Sequence, residues 1–255
     1  MKLSLMDAVL WASGFFLSAC LLAALLWRAR WKQFPILTLW IAFQVAYNLL
    51  MFALRSHGPA RWYAHVYWAS LWPDFLLQLG VVGEIAGIVL RPTGTWVRDA
   101  RSLFITAGIG GAAVAAILVW WITPPVHGAA AAWELRGNLF TSLVICELFV
   151  VMSFTANHLG LGWRSHVMAL GQGLTAWAAA AVINDSLQSY FGTQRFVAFS
   201  YYLRSFAWIA ATAWIAIRLW VPEPERLPIS EDLQKYILAL HRRVEYDLRR
   251  LDAGH

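Results

Sequence analysis

The amino-acid sequence predicts an all-α integral membrane protein: a single bundle of seven transmembrane helices, with a short cytoplasmic amphipathic helix after it. Composition is the first observation behind this prediction. The chain of 255 residues is 60% hydrophobic and only 13% charged, whereas charged residues make up about 25% of a typical soluble domain. The second observation is that the apolar residues form long blocks, without the alternating or amphipathic patterns of soluble strands and helices.

Seven apolar segments are each long enough to cross a hydrocarbon core of roughly 30 Å, because an α-helix rises about 1.5 Å per residue. In chain order they are residues 7–27, 35–54, 65–90, 102–122, 138–158, 166–190 and 198–220. The connections between them are short, and Pro or Gly marks several of them, as at Gly58-Pro59 and Pro124-Pro125. Residues 1–220 are therefore predicted to form one bundle with no soluble domain inserted.

The distribution of Lys and Arg predicts that the N-terminus lies outside and the C-terminus inside, because basic residues concentrate on the cytoplasmic side of membrane proteins. In this orientation the inner connections hold seven basic residues and the outer ends hold five. The inner ones are Arg28, Arg30, Lys32, Arg91, Arg98, Arg101 and Arg164. The outer connections are short and show no disulfide framework, so a bacterial inner membrane is the expected location.

The sequence changes character after Trp220. Residues 221–229 contain three prolines and are predicted to form a stiff linker. Residues 230–255 are predicted to form the cytoplasmic amphipathic helix, with Ser230 at its start and apolar residues every three or four positions. Residues 230–252 could bind a protein partner or form a homodimer; the helix could also lie on the lipid surface or pack against the bundle. The basic residues suit membrane orientation, so no nucleic-acid partner is expected.

Polar residues inside the apolar segments are the candidates for function, because an ionisable group at the bilayer centre costs roughly 2.5–3.5 kcal/mol on insertion scales. Asp74, Asp185 and Arg204 all fall in the predicted outer half of their segments. Arg204 is the one Lys or Arg that lies well away from the ends of a predicted segment, so an ion pair with Asp185 or Asp74 is expected. The remaining carboxyl group would then be protonated or would meet a cationic ligand.

These residues predict a small-ligand pocket open to the outer side, since aromatic walls with a few polar groups are typical of such pockets. The predicted ligand-binding residues are Asn48, Asp74, Asp185, Arg204, Tyr201, Trp68 and Trp208. The alternative is a closed polar network that only fixes the register of the helices. The first hypothesis for function is therefore a non-enzymatic protein that binds or senses an unknown small molecule.

A second group of residues suggests a path for protons. Asp74, Gln78 and Glu84 follow one another along the third segment, and Glu147 lies near the middle of the fifth. Burial in a medium of low dielectric favours the neutral acid, so each glutamate could instead donate one interhelical hydrogen bond. The second hypothesis is a small transporter or proton-conducting protein, and the third is an accessory subunit of a larger membrane complex.

No catalytic motif points to an enzyme. The sequence contains no recognisable pairing of a nucleophile with a base and no phosphate-binding loop. No metal-ligand set and no cofactor motif is predicted either. The lipid bilayer is the one environment that the sequence implies directly.

Overall fold

The computed structural model of the chain describes residues 5–57, 59–90, 98–122, 129–158, 165–191 and 193–221, and these residues form seven α-helices. The helices are α1 Leu5–Trp27, α2 Pro35–His57, α3 Ala60–Leu90, α4 Arg98–Ile122, α5 Ala129–His158, α6 Ser165–Phe191 and α7 Thr193–Trp220, with a 3₁₀ helix at Arg30–Lys32. The predicted all-α bundle is confirmed for these residues. Apart from Val221, the predicted linker 221–229 and the predicted helix 230–255 lie outside the described residues.

The observed helices follow the predicted segments but extend further at one end of the bundle. Helix α3 begins at Ala60 and α5 begins at Ala129, several residues before the predicted starts at 65 and 138. The prediction followed apolar residues alone, and the added residues of α3 and α5 include the charged Arg61, Glu134 and Arg136. Glu134 therefore lies on a helix, although the apolar pattern placed it in a connection.

Five of the described helices are long and apolar enough to cross a membrane. They are Leu5–Trp27, Pro35–Ser56, Arg61–Ile88, Ala132–Ser153 and His166–Gln188. Helix α4 contributes a shorter apolar stretch, Ile105–Trp121. Helix α7 is not among the five, because Arg204, Arg218 and several hydroxyl groups lower its hydropathy. The multi-pass character of the chain therefore rests on five helices, not on the seven that the apolar segments predicted.

The outward-facing surface of the helices is apolar. Phe16, Leu39, Ile109, Val150 and Ile217, on five different helices, are each between 59% and 69% exposed. Soluble monomers rarely expose apolar patches larger than a few hundred Å². Such a surface suits lipid tails, which agrees with the five apolar helices.

Six of the described helices form a closed ring in the order α1, α2, α3, α5, α6 and α7, with α7 packed back against α1. Helix α4 packs on α5 outside this ring, with only a minor contact to α6. Helices α6 and α7 approach closely at Gly173, where an added Cβ would lie 2.8 Å from Cγ1 of Ile215. The ring leaves an interior that side chains must either fill or line.

One half of the ring interior is filled by an apolar core. This half contains the C-terminal end of α1 and the N-terminal end of α2. Its most buried side chains are Leu21, Leu25, Phe34, Leu37, Ile41, Val81, Ile85, Met152, Leu170 and Leu219. The polar residues singled out above lie mostly in the other half, beside the start of α1.

Glu84 of α3 binds the N-terminus of α2. Its Oε1 accepts a hydrogen bond of 2.8 Å from the amide of Ile36, and its Oε2 accepts one of 3.0 Å from the amide of Leu37. The first amides of a helix have no acceptor within the helix, and Phe34, just before α2, offers no side-chain acceptor. A carboxylate also interacts favourably with the positive end of the helix dipole. Glu84 therefore supplies from α3 the cap that α2 does not provide for itself.

We expect Glu84→Ala to lower the free energy of unfolding by about 1–3 kcal/mol, because two amides in the apolar bundle lose their acceptor. Glu84→Gln keeps one acceptor oxygen and should lose about half as much. Unfolding titrations in mixed micelles would measure both values. Glu147→Gln is a matched control, since Oε2 of Glu147 makes no hydrogen bond with the described residues. An Ala variant as stable as the wild type would contradict the capping role.

Candidate functional site

A cavity of about 790 Å³ occupies the half of the ring beside the start of α1. All six ring helices contribute to its lining, whereas none of the described side chains of α4 does. The polar lining residues are Gln44, Tyr47, Asn48, Tyr67, Asp74, Gln78, Glu134, Asn138, Thr141, Ser142, Gln188, Ser200, Tyr201, Arg204 and Ser205. The volume falls within the range of about 300–1,000 Å³ that is usual for small-molecule sites.

Three tryptophans separate the cavity from the apolar core. The ring centroid of Trp208 lies 5.5 Å from that of Trp40 and 5.7 Å from that of Trp177, and both pairs are in edge-to-face geometry. Trp40 belongs to the apolar core, while Trp177 and Trp208 line the cavity. Edge-to-face contacts of this kind are favourable for aromatic pairs. The three rings therefore give the cavity an aromatic floor.

Asp74 lies on α3 directly above this floor and accepts three hydrogen bonds. Its Oδ1 accepts from Nε1 of Trp40 at 2.7 Å and from Nε2 of Gln44 at 2.6 Å. Its Oδ2 accepts from Nε2 of Gln78 at 2.8 Å. All three donors are neutral, and no Arg, Lys or His contacts Asp74 within the described part of the chain. The carboxyl group is thus held in place without a compensating positive charge.

Asp185 of α6 forms an ion pair with Arg204 of α7. Nη2 of Arg204 donates to Oδ1 at 2.9 Å and to Oδ2 at 2.8 Å, and the amide of Asn184 donates to Oδ1 at 3.1 Å. Asp185 is 1% exposed, whereas the Arg204 side chain is 37% exposed and lines the cavity. The sequence left Asp185 and Asp74 open as partners, and the structure pairs Arg204 with Asp185.

The ion pair does not use the whole guanidinium group of Arg204. Both hydrogen bonds come from Nη2, and Nε is buried without a hydrogen-bond partner among the described residues. Ser200, one turn earlier on α7, also lines the cavity with a buried hydroxyl that has no partner there. This side of the cavity therefore retains hydrogen-bonding groups that the described residues do not satisfy.

Glu134 and Tyr67 belong to the cavity, although sequence reasoning did not find them. The hydroxyl of Tyr67 on α3 donates to Oε1 of Glu134 on α5, and both residues line the cavity. Glu134, Asn138, Thr141 and Ser142 recur at helical spacing, so they share one face of α5. That spacing was the available signal, and it was missed because the predicted fifth segment began at residue 138.

The structure brings most of the predicted ligand-binding residues to one place. Asn48, Asp74, Tyr201, Arg204 and Trp208 line the cavity. Asp185 does not line it but lies behind Arg204. Trp68 does not line it either: its side chain is 38% exposed and its ring packs edge-on against Tyr67, with centroids 5.6 Å apart.

Gln78, Glu84 and Glu147 are predicted proton-path residues, and the described structure does not join them to one another by hydrogen bonds. Gln78 binds Asp74 and lines the cavity, whereas both oxygens of Glu84 bind the start of α2. Glu147 lies on the face of α5 that meets α4, with Oε2 only 2.6 Å from where a Cβ of Gly111 would be. Within the described residues, hydrogen bonds join Gln78 to Asp74 but not to either glutamate.

The described lining of the cavity carries several kinds of polar and charged groups. Among the described residues, this lining includes carboxyl, amide, hydroxyl, guanidinium and indole groups but no His, Cys or Lys. A search of the described residues for clusters of His, Cys, Asp and Glu that could hold a metal ion finds none. Comparison of the chain with family models, curated proteins and solved structures finds no match. The lining and volume of the cavity are therefore the features that can indicate a function.

We expect Arg204→Met to lower the free energy of unfolding by about 3 kcal/mol, because it leaves the Asp185 carboxylate buried without its partner. This value is at the low end for buried pairs, since the guanidinium group is partly exposed. The Asp185→Leu, Arg204→Met double variant removes both charges and should recover most of the loss. Micelle unfolding titrations of the four proteins in this cycle would give the coupling free energy. Additive losses in the double variant would rule out a direct ion pair.

Proposed function

We propose that the protein is a non-enzymatic, multi-pass membrane protein that binds a small polar molecule in this cavity and acts as a ligand-binding or sensory component. The observation that carries the proposal is the incomplete satisfaction of a polar lining around about 790 Å³ of space. A purely structural network would pair its own groups, because buried unpaired polar atoms are unfavourable. Here Nε of Arg204 and the hydroxyl of Ser200 are left for a ligand or for water.

The proposal places all seven described helices across the membrane. The apolar stretch Ile105–Trp121 of α4 has 17 residues, which spans about 25 Å. The low hydropathy of α7 is compatible with a membrane span, because Arg204 lines the cavity and bonds to Asp185 instead of meeting lipid. Basic residues at the closed half, including Arg28, Lys32 and Arg218, favour an inner location for that end. The cavity then lies on the outer side, and a bacterial inner membrane remains the proposed location.

Labelling of single cysteines would test this orientation. In a Cys20→Ser, Cys146→Ser background, Ser56→Cys at the end of α2 should react with a membrane-impermeant maleimide on intact cells. Lys32→Cys, between α1 and α2, should react only after the cells are permeabilised. Ser56 and Lys32 are both exposed, so access to the reagent should decide the result. The reverse labelling pattern would contradict the N-out orientation.

Transport is the second candidate function, and the hydrogen bond between Gln78 and Asp74 is the observation in its favour. This contact leads from the cavity one turn toward the closed half. Beyond it, Glu84 is engaged at the start of α2, and apolar side chains such as Leu37, Val81 and Leu170 fill the ring. A conducting path would need that packing to open, so binding is the simpler proposal. The accessory-subunit hypothesis remains a proposal that depends on residues 230–255.

Native mass spectrometry of the gently extracted protein would test ligand binding. We expect the wild-type protein to carry a small molecule that is lost in Asn138→Trp, because the larger side chain fills part of the cavity. Val114→Trp is the matched control, since it adds the same side chain at a position on α4 that is 50% exposed and distant from the cavity lining. It should retain the ligand. Equal retention or equal absence in all three proteins would count against a ligand in the cavity.

A further inference from the structure

We infer that the ligand of this cavity is an organic cation, a compound with an ammonium group on an apolar or aromatic body. This inference rests on the proposed function, in which the cavity binds a small molecule. It goes further by assigning the chemical class of the ligand. Three observations carry it: the charge balance of the lining, the free acceptor positions on two carboxyl groups, and the indole rings of the floor.

Among the described residues, the charged side chains that line the cavity are Asp74, Glu134 and Arg204. The charge of Arg204 is already compensated, because Asp185 accepts two hydrogen bonds from its Nη2 at 2.8 and 2.9 Å. Asp74 and Glu134 are then two carboxyl groups for which the described residues provide no basic partner. With all four groups ionised, the set carries three negative charges and one positive charge. A ligand with a positive charge corrects this imbalance, whereas an anion would increase it.

Both unbalanced carboxyl groups retain room for another donor. Glu134 accepts one hydrogen bond, at Oε1 from Tyr67, and its Oε2 makes none with the described residues. Asp74 accepts two bonds at Oδ1 but only one at Oδ2. A carboxylate has about four acceptor positions on its two oxygens. An ammonium group could therefore bind either residue without displacing a protein donor.

The floor of the cavity adds a second kind of attraction for a cation. Trp177 and Trp208 both line the cavity, and their rings meet edge to face at an interplanar angle of 70°, so the two indole planes are oriented differently. The face of an indole ring attracts cations, and Trp is the strongest aromatic side chain in this respect. The same rings would pack against the apolar body of the ligand. Carboxyl groups above an aromatic floor thus match both parts of an organic ammonium compound.

Arg204 favours an anionic ligand less than its charge suggests. A free anion at Nε would have to approach a guanidinium group whose charge Asp185 already neutralises. It would also share the cavity with Asp74 and Glu134, and like charges in a medium of low dielectric repel strongly. The free nitrogens of Arg204 are better suited to a neutral acceptor on the ligand, such as a hydroxyl or carbonyl oxygen.

A matched series of ligands tests the inference on the purified full-length chain. Phenethylamine, 2-phenylethanol and 3-phenylpropionate share an aromatic body but carry a positive, neutral and negative group, and choline and spermidine add two other cations. Calorimetry in detergent would measure Kd for each compound. We expect at least one of the three cations to bind, and to bind about tenfold or more tightly than the neutral and anionic probes. Glu134→Gln should weaken that binding by about 10- to 100-fold, while Glu147→Gln should leave it unchanged.

The outcomes separate this inference from the proposed function. If 3-phenylpropionate alone binds, and Arg204→Lys weakens it, the ligand class is wrong but the cavity still binds a small molecule. If cations bind but Glu134→Gln and Asp74→Asn have no effect, the assigned carboxyl groups are wrong. If no probe binds and the extracted protein carries no small molecule, both proposals are overturned. In every case Glu147→Gln controls for the removal of a carboxyl group outside the cavity.

Discussion

Polar groups inside a lipid-facing bundle must find their partners within the bundle, because lipid tails offer no hydrogen bonds. This constraint explains the positions of Glu84, Asp74 and Asp185, although each carboxyl group meets it in a different way. Glu84 binds two backbone amides, Asp74 binds three neutral side chains, and Asp185 binds a cation. The kind of donor that each carboxyl group binds determines which further interactions that group can make.

The polar contacts also join neighbouring helices of the ring. Asp74 connects α3 to α2 through Trp40 and Gln44, the Tyr67–Glu134 bond connects α3 to α5, and the Arg204–Asp185 pair connects α7 to α6. Helices α1 and α2 meet nearby through stacked Trp11 and Phe52 rings, 4.8 Å apart. The hydrogen bonds and the ion pair hold neighbouring helices together at a few positions. They can therefore stabilise the ring around a cavity, whereas the closed half is stabilised by filling its interior with apolar side chains.

The sequence predicted the helices well because apolar segments of spanning length are a strong signal in a membrane protein. It also placed Asp74, Asp185 and Arg204 at one level, since depth follows from position along each segment. It could not show that α4 lies outside the ring, because α4 is as apolar as its neighbours and neighbour relations depend on packing. It missed Glu134, which lies on a helical turn beyond the apolar segment.

Glu84 shows a different limit of sequence reasoning. Asp74, Gln78 and Glu84 follow one another along one helix, and this order suggested a path for protons. The structure joins the first two residues but turns Glu84 to the start of α2, 47 and 48 positions away in sequence from its partners. The order of residues along a helix does not show which backbone amides elsewhere lack an acceptor. The missing cap at Phe34 was the only local sign of this contact.

Asp185 and Asp74 differ in whether a cation compensates the carboxyl group. Two carboxyl groups lie in the same half of one bundle, yet only Asp185 is paired with a cation, and it is almost fully buried. Asp74 faces the cavity with neutral donors that orient it without cancelling its charge. Holding a carboxyl group in this way is unfavourable in a low dielectric unless it is protonated or a cation binds. Such a residue adds less to the stability of the empty protein than a paired one would, and it interacts more strongly with a positively charged ligand. Asp185 thus joins α6 to α7 through Arg204, while Asp74 is a residue through which the proposed ligand would bind.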